Sequence, residues 1–153
     1  MAWQEGQNLS DLRETDIVVG VDGSPSSRAA LRWAISQART TGARVQAVTA
    51  WEFPALYSWG PTHPYEDFAA TAGKVLAESV QEACGSEGPD VEIRESVVAG
   101  HPAQVLLDAS ARTALLVVGS RGHGGFDGTL LGSVSQHCAQ HARCPVVIVR
   151  GKG

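Results

Sequence analysis

The sequence has no apolar run that approaches the roughly 20 residues needed for a membrane-spanning helix. It also lacks a signal-peptide core, because residues 1–14 are mostly polar. Its 12 basic and 16 acidic side chains give a formal charge of −4, without a basic cluster that would attract nucleic acid or an anionic membrane. We therefore expect a cytoplasmic protein whose partners are neither nucleic acid nor membrane.

Cysteine is scarce and irregularly spaced. The chain has Cys84, Cys138 and Cys144, an odd number, and no C-x-x-C pair. This pattern disfavours a disulfide framework and a zinc finger, so reduced structural thiols are predicted. His137 and His141 flank Cys138 and share one helix face, which leaves a metal site or a nucleophile as a less favoured alternative. No further metal ligand is apparent in the sequence, so we predict no resident metal and no catalytic residue.

The length of 153 residues and the 43% hydrophobic content suit one domain with a sizeable core. We predict a flexible tail over residues 1–15 and a single domain over residues 16–153. Apolar runs alternate with helical patterns, as in a doubly wound, Rossmann-like α/β sheet of five parallel strands and four helices. The predicted strands cover residues 17–21, 44–51, 91–98, 115–118 and 145–150, and the helices cover 25–39 and 66–83 and begin near Pro102 and at Ser133.

Two of the predicted strands have the patterns of sheet edges. Residues 91–98 alternate apolar and charged side chains, as expected for an outer strand with one exposed face. The last predicted strand, residues 145–150, starts with Pro145 and ends the sheet with an unbroken apolar run over residues 146–149. Such an edge can pair with a second copy of the chain, so we expect a homodimer.

A glycine-rich segment follows the fourth predicted strand. Six glycines lie between Gly119 and Gly132, and a helix-like stretch begins at Ser133. Glycine lets the backbone approach a neighbour closely, and the amides at a helix start favour an anion. In an open α/β sheet, the loop after the carboxyl end of a strand is also where ligands bind. The segment therefore predicts a phosphate-binding loop.

Two familiar phosphate-binding motifs do not fit this segment. In a P-loop, the last glycine is followed by a lysine, whereas here Gly132 is followed directly by Ser133. In the dinucleotide fingerprint a third glycine follows Gly122 and Gly124, but Asp127 occupies that position. The loop therefore belongs to neither class.

The spacing of three glycines does fit another motif. Two residues separate Gly119 from Gly122, and nine residues separate Gly122 from Gly132, which precedes Ser133. This resembles the G-2x-G-9x-G-[ST] motif of the universal stress protein family, over about residues 16–150. The alternative is a plain glycine loop with Ser133 as a helix N-cap.

The resemblance implies a fold and an ATP site. The strand order would be 3-2-1-4-5, with the site at the carboxyl ends of the first and fourth strands. Asp22 would contact the ribose or adenine, Ala50 would pair with adenine through its backbone, and the loop would hold the phosphates. The implied binding residues are Gly20, Val21, Asp22, Ser24, Ala50, Gly119, Ser120, Arg121, Gly122, His123, Gly124, Gly125, Gly132, Ser133, Val134 and Ser135.

Some of these residues also have simpler interpretations. Asp22 can cap the turn before the first helix, and Ala50 can serve sheet packing alone. Arg121 and His123 can contact phosphate or point to solvent. The long segment 53–65, rich in proline and aromatic residues, is interpreted as a lid over a bound base or as a partner surface.

By the same resemblance, the protein is expected to be an ATP-binding stress-response regulator or sensor that acts through nucleotide occupancy, dimerisation and a protein partner. Two alternatives stay open. One is a slow ATP hydrolase that uses Mg²⁺ and Asp22, although the sequence offers no clear general base. The other is a cyclic AMP-binding protein.

Overall fold

The computed structural model describes residues 11–52, 65–86, 88–121 and 131–151. They form five strands and four helices in strict alternation, which confirms the predicted α/β fold. The elements are β1 (Ile17–Gly20), α1 (Pro25–Thr41), β2 (Val45–Trp51), α2 (Tyr65–Cys84), β3 (Ile93–Ala99), α3 (Pro102–Ala109), β4 (Leu115–Gly119), α4 (Ser133–His141) and β5 (Val146–Val149). No helix among the described residues combines the length and the apolar character needed to cross a membrane.

The five strands form one parallel sheet in the order β3-β2-β1-β4-β5. In the centre, Ile17 of β1 aligns with Val45 of β2 and with Leu115 of β4. The connection from β1 leads outward to β2, whereas β4 continues outward to β5. The carboxyl ends of β1 and β4 are therefore the point at which the winding direction reverses, where open α/β sheets bind ligands.

The core lies in two layers, one on each face of the sheet. On one face, Ile17 and Val19 pack in a cluster with residues of α1 and α2. On the other face, Val18 packs with Leu106 of α3 and Cys138 of α4. Successive residues of a strand point to opposite faces, so the apolar run of β1 supplies both layers.

Helix α1 has well-defined ends. Ser24 is its N-cap, since the Ser24 hydroxyl accepts a hydrogen bond from the Ser27 amide, and Pro25 is the first helical residue. Gly42 ends the helix at φ 79°, a left-handed conformation that glycine adopts without strain. The start and the terminating glycine agree with the sequence prediction.

A buried ion pair lies at the amino ends of the strands, away from the switch point. Arg44 donates to both carboxylate oxygens of Asp16, at 3.0 and 2.8 Å, and Gln46 donates to Asp16 at 2.9 Å. Burial raises the pKa of Asp16, but the hydrogen bonds from Arg44 and Gln46 outweigh it and hold the pKa below its usual value. Arg44 also donates to the Asp11 carbonyl at 2.8 Å, so the last part of the predicted tail, residues 11–15, is joined to the residue just before β2.

Candidate ligand site at the carboxyl ends of β1 and β4

Asp22 lies exposed in the turn between β1 and α1. Its Oδ1 accepts a hydrogen bond from the Ser24 amide at 2.9 Å, and its own amide donates to the Ser27 hydroxyl at 3.2 Å. The capping interpretation of Asp22 is therefore confirmed as one role of this side chain. Contact with a nucleotide stays a prediction.

Gly20 and Val21, expected at the floor of the site, are engaged in packing. A Cβ atom at Gly20 would lie 2.7 Å from Leu106 Cδ1, so glycine makes room for α3. Val21 is 3% exposed in the core, and its carbonyl accepts a hydrogen bond from the Thr49 hydroxyl at 2.8 Å. Neither residue presents a side chain to the crevice, so any ligand contact would come from backbone atoms.

Ala50 is the penultimate residue of β2. It aligns with Val98 of β3, and its side chain packs against the core on the α3 and α4 face. Just beyond it, the Trp51 carbonyl accepts a hydrogen bond from the Gly100 amide at 2.8 Å. The packing interpretation of the Ala50 side chain is confirmed, whereas a backbone contact with adenine stays a prediction.

Gly119, the last residue of β4, meets the first turn of α1. A Cβ atom there would lie 2.5 Å from Ser26 Oγ and 2.7 Å from the Ser27 amide nitrogen, which real side chains do not tolerate. The sequence interpretation assigned the close approach at the glycines to a phosphate. At Gly119, the closely approaching group is the protein itself.

The two ends of the loop that follows β4, at Ser120 and Gly132, are bonded to each other and form the loop stem. The Ser120 carbonyl accepts hydrogen bonds from the Gly132 amide at 2.7 Å and from the Ser135 hydroxyl at 3.0 Å. The Ser120 amide donates to the Val149 carbonyl of β5 at 2.9 Å. The end of β4 and the start of α4 are thus bonded to each other. The predicted contacts of Gly122, His123, Gly124 and Gly125 fall between these ends and lie outside the described residues.

Helix α4 begins at the second end of this stem. Gly132 is the N-cap, with φ −67° and ψ 164°, and its carbonyl accepts the first helical hydrogen bond, from the Gln136 amide at 2.9 Å. The alternative that made Ser133 the N-cap is therefore wrong, because Ser133 is already the first helical residue. A glycine N-cap has no side chain to bond the first amides, which leaves the helix start suited to an anion.

The other two residues of the predicted phosphate turn face inward. Val134 is partly buried against the core. Ser135 is 2% exposed, and its hydroxyl lies 3.0 Å from the carbonyl oxygens of Ser120 and Gly132. These two side chains hold the turn together, so of the predicted turn residues Ser133 has the exposed side chain.

The α1 turn and the loop stem are joined through Arg121. The Ser26 hydroxyl donates to the Arg121 carbonyl and accepts from the Arg121 amide at 3.3 Å, while Ser24 Oγ lies 3.4 Å from the same carbonyl. The structure thus brings Asp22, Ser24 and the loop together, as predicted. Ser26 was missed because a serine in the first turn of a helix belongs to no motif.

The metal and nucleophile alternatives find no support in the described residues. Cys138 is fully buried, and burial raises the pKa of its thiol to about 11, so it is not a nucleophile at neutral pH. The rings of His137 and His141 lie 4.6 Å apart on an exposed face. Within the described ranges, no three His, Cys, Asp or Glu side chains come close enough to hold a metal ion.

The fold and the site define a doubly wound α/β protein with a glycine-started helix at the topological switch point. The model of the universal stress protein family matches residues 15–150. The chain therefore belongs to the universal stress protein family, as the glycine spacing predicts.

Known proteins resemble this chain in sequence or in fold. A universal stress protein of Mycolicibacterium smegmatis is 38% identical over 138 residues, which cover 88% of this chain and 45% of that protein. The chain thus spans about half the length of this curated relative. The structure of universal stress protein UspA from Lactobacillus plantarum superposes with a TM-score of 0.71 at 22% identity, covering 92% of this chain and all of that one.

A second structure adds a bound ligand. A universal stress protein solved in complex with cAMP superposes with a TM-score of 0.59 at 28% identity, and the match covers 92% of this chain and 100% of that chain.

Proposed function

We propose that this chain is a nucleotide-binding regulator of the stress response that holds ATP at the switch point and signals through nucleotide occupancy and dimerisation. The observation that supports this most is the loop stem, in which Gly132 and Ser135 both bond the Ser120 carbonyl. This closure holds the start of α4 at the end of β4, one residue from Arg121, whose carbonyl is bonded by Ser24 and Ser26 of the turn that carries Asp22.

The physical basis is that the start of α4 favours an anion. Backbone amides and the positive end of a helix stabilise phosphate without a lysine. Gly132 is the N-cap of helix α4, and its lack of a side chain leaves the first amides of the helix to another acceptor. The exposed carboxylate of Asp22 suits ribose hydroxyls and, when ATP arrives with Mg²⁺, is the candidate protein ligand of the ion.

Cyclic AMP binding is the second candidate, and the cAMP complex of the 28% identical structure favours it. Both candidates share the adenosine part of the ligand and differ in the phosphates. The three phosphates of ATP would make more contacts with the loop than the single phosphate of cyclic AMP. Slow hydrolysis of ATP is the third candidate, and it requires the same site.

Calorimetry with ATP, ADP and cyclic AMP separates the two binding candidates, and a phosphate-release assay tests turnover. We expect ATP to bind at least about 10-fold more tightly than cyclic AMP, which corresponds to about 1.4 kcal/mol from the additional phosphate contacts. Tighter binding of cyclic AMP supports the second candidate. Phosphate release that Asp22→Ala abolishes while ATP binding persists supports hydrolysis.

Gly132→Val tests the location of the site. The backbone at Gly132 is extended, so valine fits its conformation, and the added side chain should obstruct the phosphates. We expect loss of ATP binding without loss of the fold. Ala139→Val, which adds the same bulk at an exposed position of α4, is the matched control. If Gly132→Val binds ATP as well as Ala139→Val does, the assignment of the loop is wrong.

A further inference from the structure

The first turn of α1 is enclosed by backbone from two strands. Gly119 at the end of β4 lies against Ser26, and a Cβ atom at Gly151, just after β5, would lie 2.6 Å from Ser26 Cα and 3.0 Å from the Pro25 carbonyl. Ser26 is only 6% exposed. Its side chain is therefore held at the junction of α1, β4 and β5.

From this position, the Ser26 hydroxyl makes two hydrogen bonds with one distant residue. It donates to the Arg121 carbonyl and accepts from the Arg121 amide at 3.3 Å, across 95 positions of sequence. A hydroxyl has one donor and two acceptor sites, so both kinds of site are used here. Because the two bonds engage the peptide groups on either side of Arg121, they fix the direction in which the chain leaves β4.

We propose that Ser26 is a positioning residue for the ligand site, and that its hydroxyl sets the nucleotide affinity by orienting the start of the glycine loop. This inference rests on the proposed nucleotide-binding function. Ser26 acts through the backbone of Arg121, and contact between Ser26 and the nucleotide is not required.

The expected effect follows from pre-organisation. A loop that occupies its binding-competent conformation only part of the time has an apparent affinity lowered by that fraction. Loss of the hydroxyl removes two hydrogen bonds to Arg121, each with a modest net contribution. We expect Ser26→Ala to weaken ATP binding about 5- to 20-fold.

The start of α1 should survive this substitution. The Ser24 hydroxyl still accepts from the Ser27 amide at 3.3 Å, and the Ser27 hydroxyl still donates to the Ser24 carbonyl at 3.1 Å. The Asp22 carboxylate also keeps its hydrogen bond from the Ser24 amide. A change in affinity can therefore be separated from a change in stability.

The test compares wild type, Ser26→Ala and Ser36→Ala, a serine substitution at an exposed position of the same helix. ATP affinity is measured by calorimetry, the melting temperature by circular dichroism, and exchange of the Arg121 amide by NMR in the absence of nucleotide. We expect weaker binding and faster Arg121 exchange in Ser26→Ala alone, with melting temperatures that stay similar. Ser26→Cys keeps a γ atom but makes only weak hydrogen bonds, and it replaces Ser26→Ala if the alanine variant does not fold.

Two failures are distinguishable. If wild type binds no adenine nucleotide, the proposed function fails, and the Arg121 exchange measured without ligand still tests whether Ser26 orders the loop start. If wild type binds ATP and Ser26→Ala binds it equally well with unchanged Arg121 exchange, Ser26 has no positioning role.

Discussion

Two glycines at neighbouring strand ends, Gly20 and Gly119, are both fixed by packing, but their neighbours differ. A Cβ atom at Gly20 would meet the tip of the Leu106 side chain, which can rotate away. At Gly119, it would meet the Ser26 hydroxyl at 2.5 Å and the backbone of Ser26 at 2.6 Å, which cannot move without displacing α1. The same methyl group should therefore have unequal effects at the two positions.

We predict that Gly119→Ala lowers the free energy of unfolding by about 1–3 kcal/mol, as overpacking does in a core. Gly20→Ala should be the milder of the two, because Leu106 can change rotamer. Chemical denaturation of both variants beside wild type measures the difference. Equal stability of the two variants would show that the backbone of α1 can be displaced at no greater cost in free energy than the Leu106 side chain.

At this scale the sequence predicted the site only in part. Asp22 and Ser24 could be assigned because they follow a strand and precede a helix, and they do lie beside the loop stem. The hydroxyl of Ser26 could not be assigned, because its partner Arg121 is 95 residues away and backbone partners leave no sequence pattern. For the same reason, the sequence pattern at Gly119 suggested a ligand, whereas the group that lies against Gly119 is the first turn of α1.

At the scale of single elements, a buried ion pair stabilises the amino ends of β1 and β2. Asp16 is fully buried and bonded by Arg44 and Gln46. The pKa of Asp16 is lower in the folded protein than in the unfolded chain. Its contribution to stability is therefore present above the unfolded pKa, about 3.9, and is lost as the pH falls below that value through the folded pKa.

We predict that Asp16→Asn lowers the free energy of unfolding at pH 7 by about 3 kcal/mol, because Arg44 then loses its buried anion and keeps only the more exposed carboxylates of Asp11 and Glu92. The variant should also lose less stability than wild type between pH 5 and pH 2. Urea denaturation at several pH values measures both effects. An acid profile identical to that of wild type would assign the acid sensitivity to other carboxylates.

Element boundaries followed from local signals where such signals exist. Gly42 and Pro25 bracket α1 as predicted, because a left-handed glycine and a first-turn proline act on the chain locally. β3 begins at Ile93, two residues after the predicted start. Alternating side chains predict that a strand is present, but the hydrogen bonds to a neighbouring strand set its ends.

At the scale of the whole molecule, β5 is the element through which we propose that two copies of the chain pair. In the described part of the chain, it pairs with β4 on one side and has no strand on the other, and all four of its side chains are partly exposed. The carbonyls of Pro145 and Val149 accept from Leu116 and Ser120 of the β4 segment. Because alternate residues of a strand point their backbone groups in opposite directions, those of Ile148 point to the open edge.

We predict that Ile148→Pro weakens homodimerisation at least about 10-fold, since proline removes an amide at the open edge and keeps the bonds to β4. Ile148→Val, which retains the amide, controls for the altered side chain. Sedimentation velocity at several concentrations measures the effect. A dimer that persists equally in both variants would place the interface elsewhere, and a monomeric wild type would end the proposal of dimerisation.

The arrangement of the sheet was predictable because several local patterns agree. Alternating apolar strands and helices give a doubly wound fold, and the family resemblance gives the order of the strands. The closed stem at Ser120 was not predictable, since it depends on a carbonyl shared by two residues from the far end of the loop. Sequence spacing locates the glycines, but it does not indicate which of them contact protein.

The two ends of the described chain lie at opposite ends of the strands. Asp11 is joined to Arg44 at the amino ends of the strands, whereas Gly151 rests on the first turn of α1. A tag or surface tether fused ahead of residue 11 would therefore emerge far from the crevice. A fluorophore attached after Gly151 would emerge beside it and could serve as an optical reporter of occupancy.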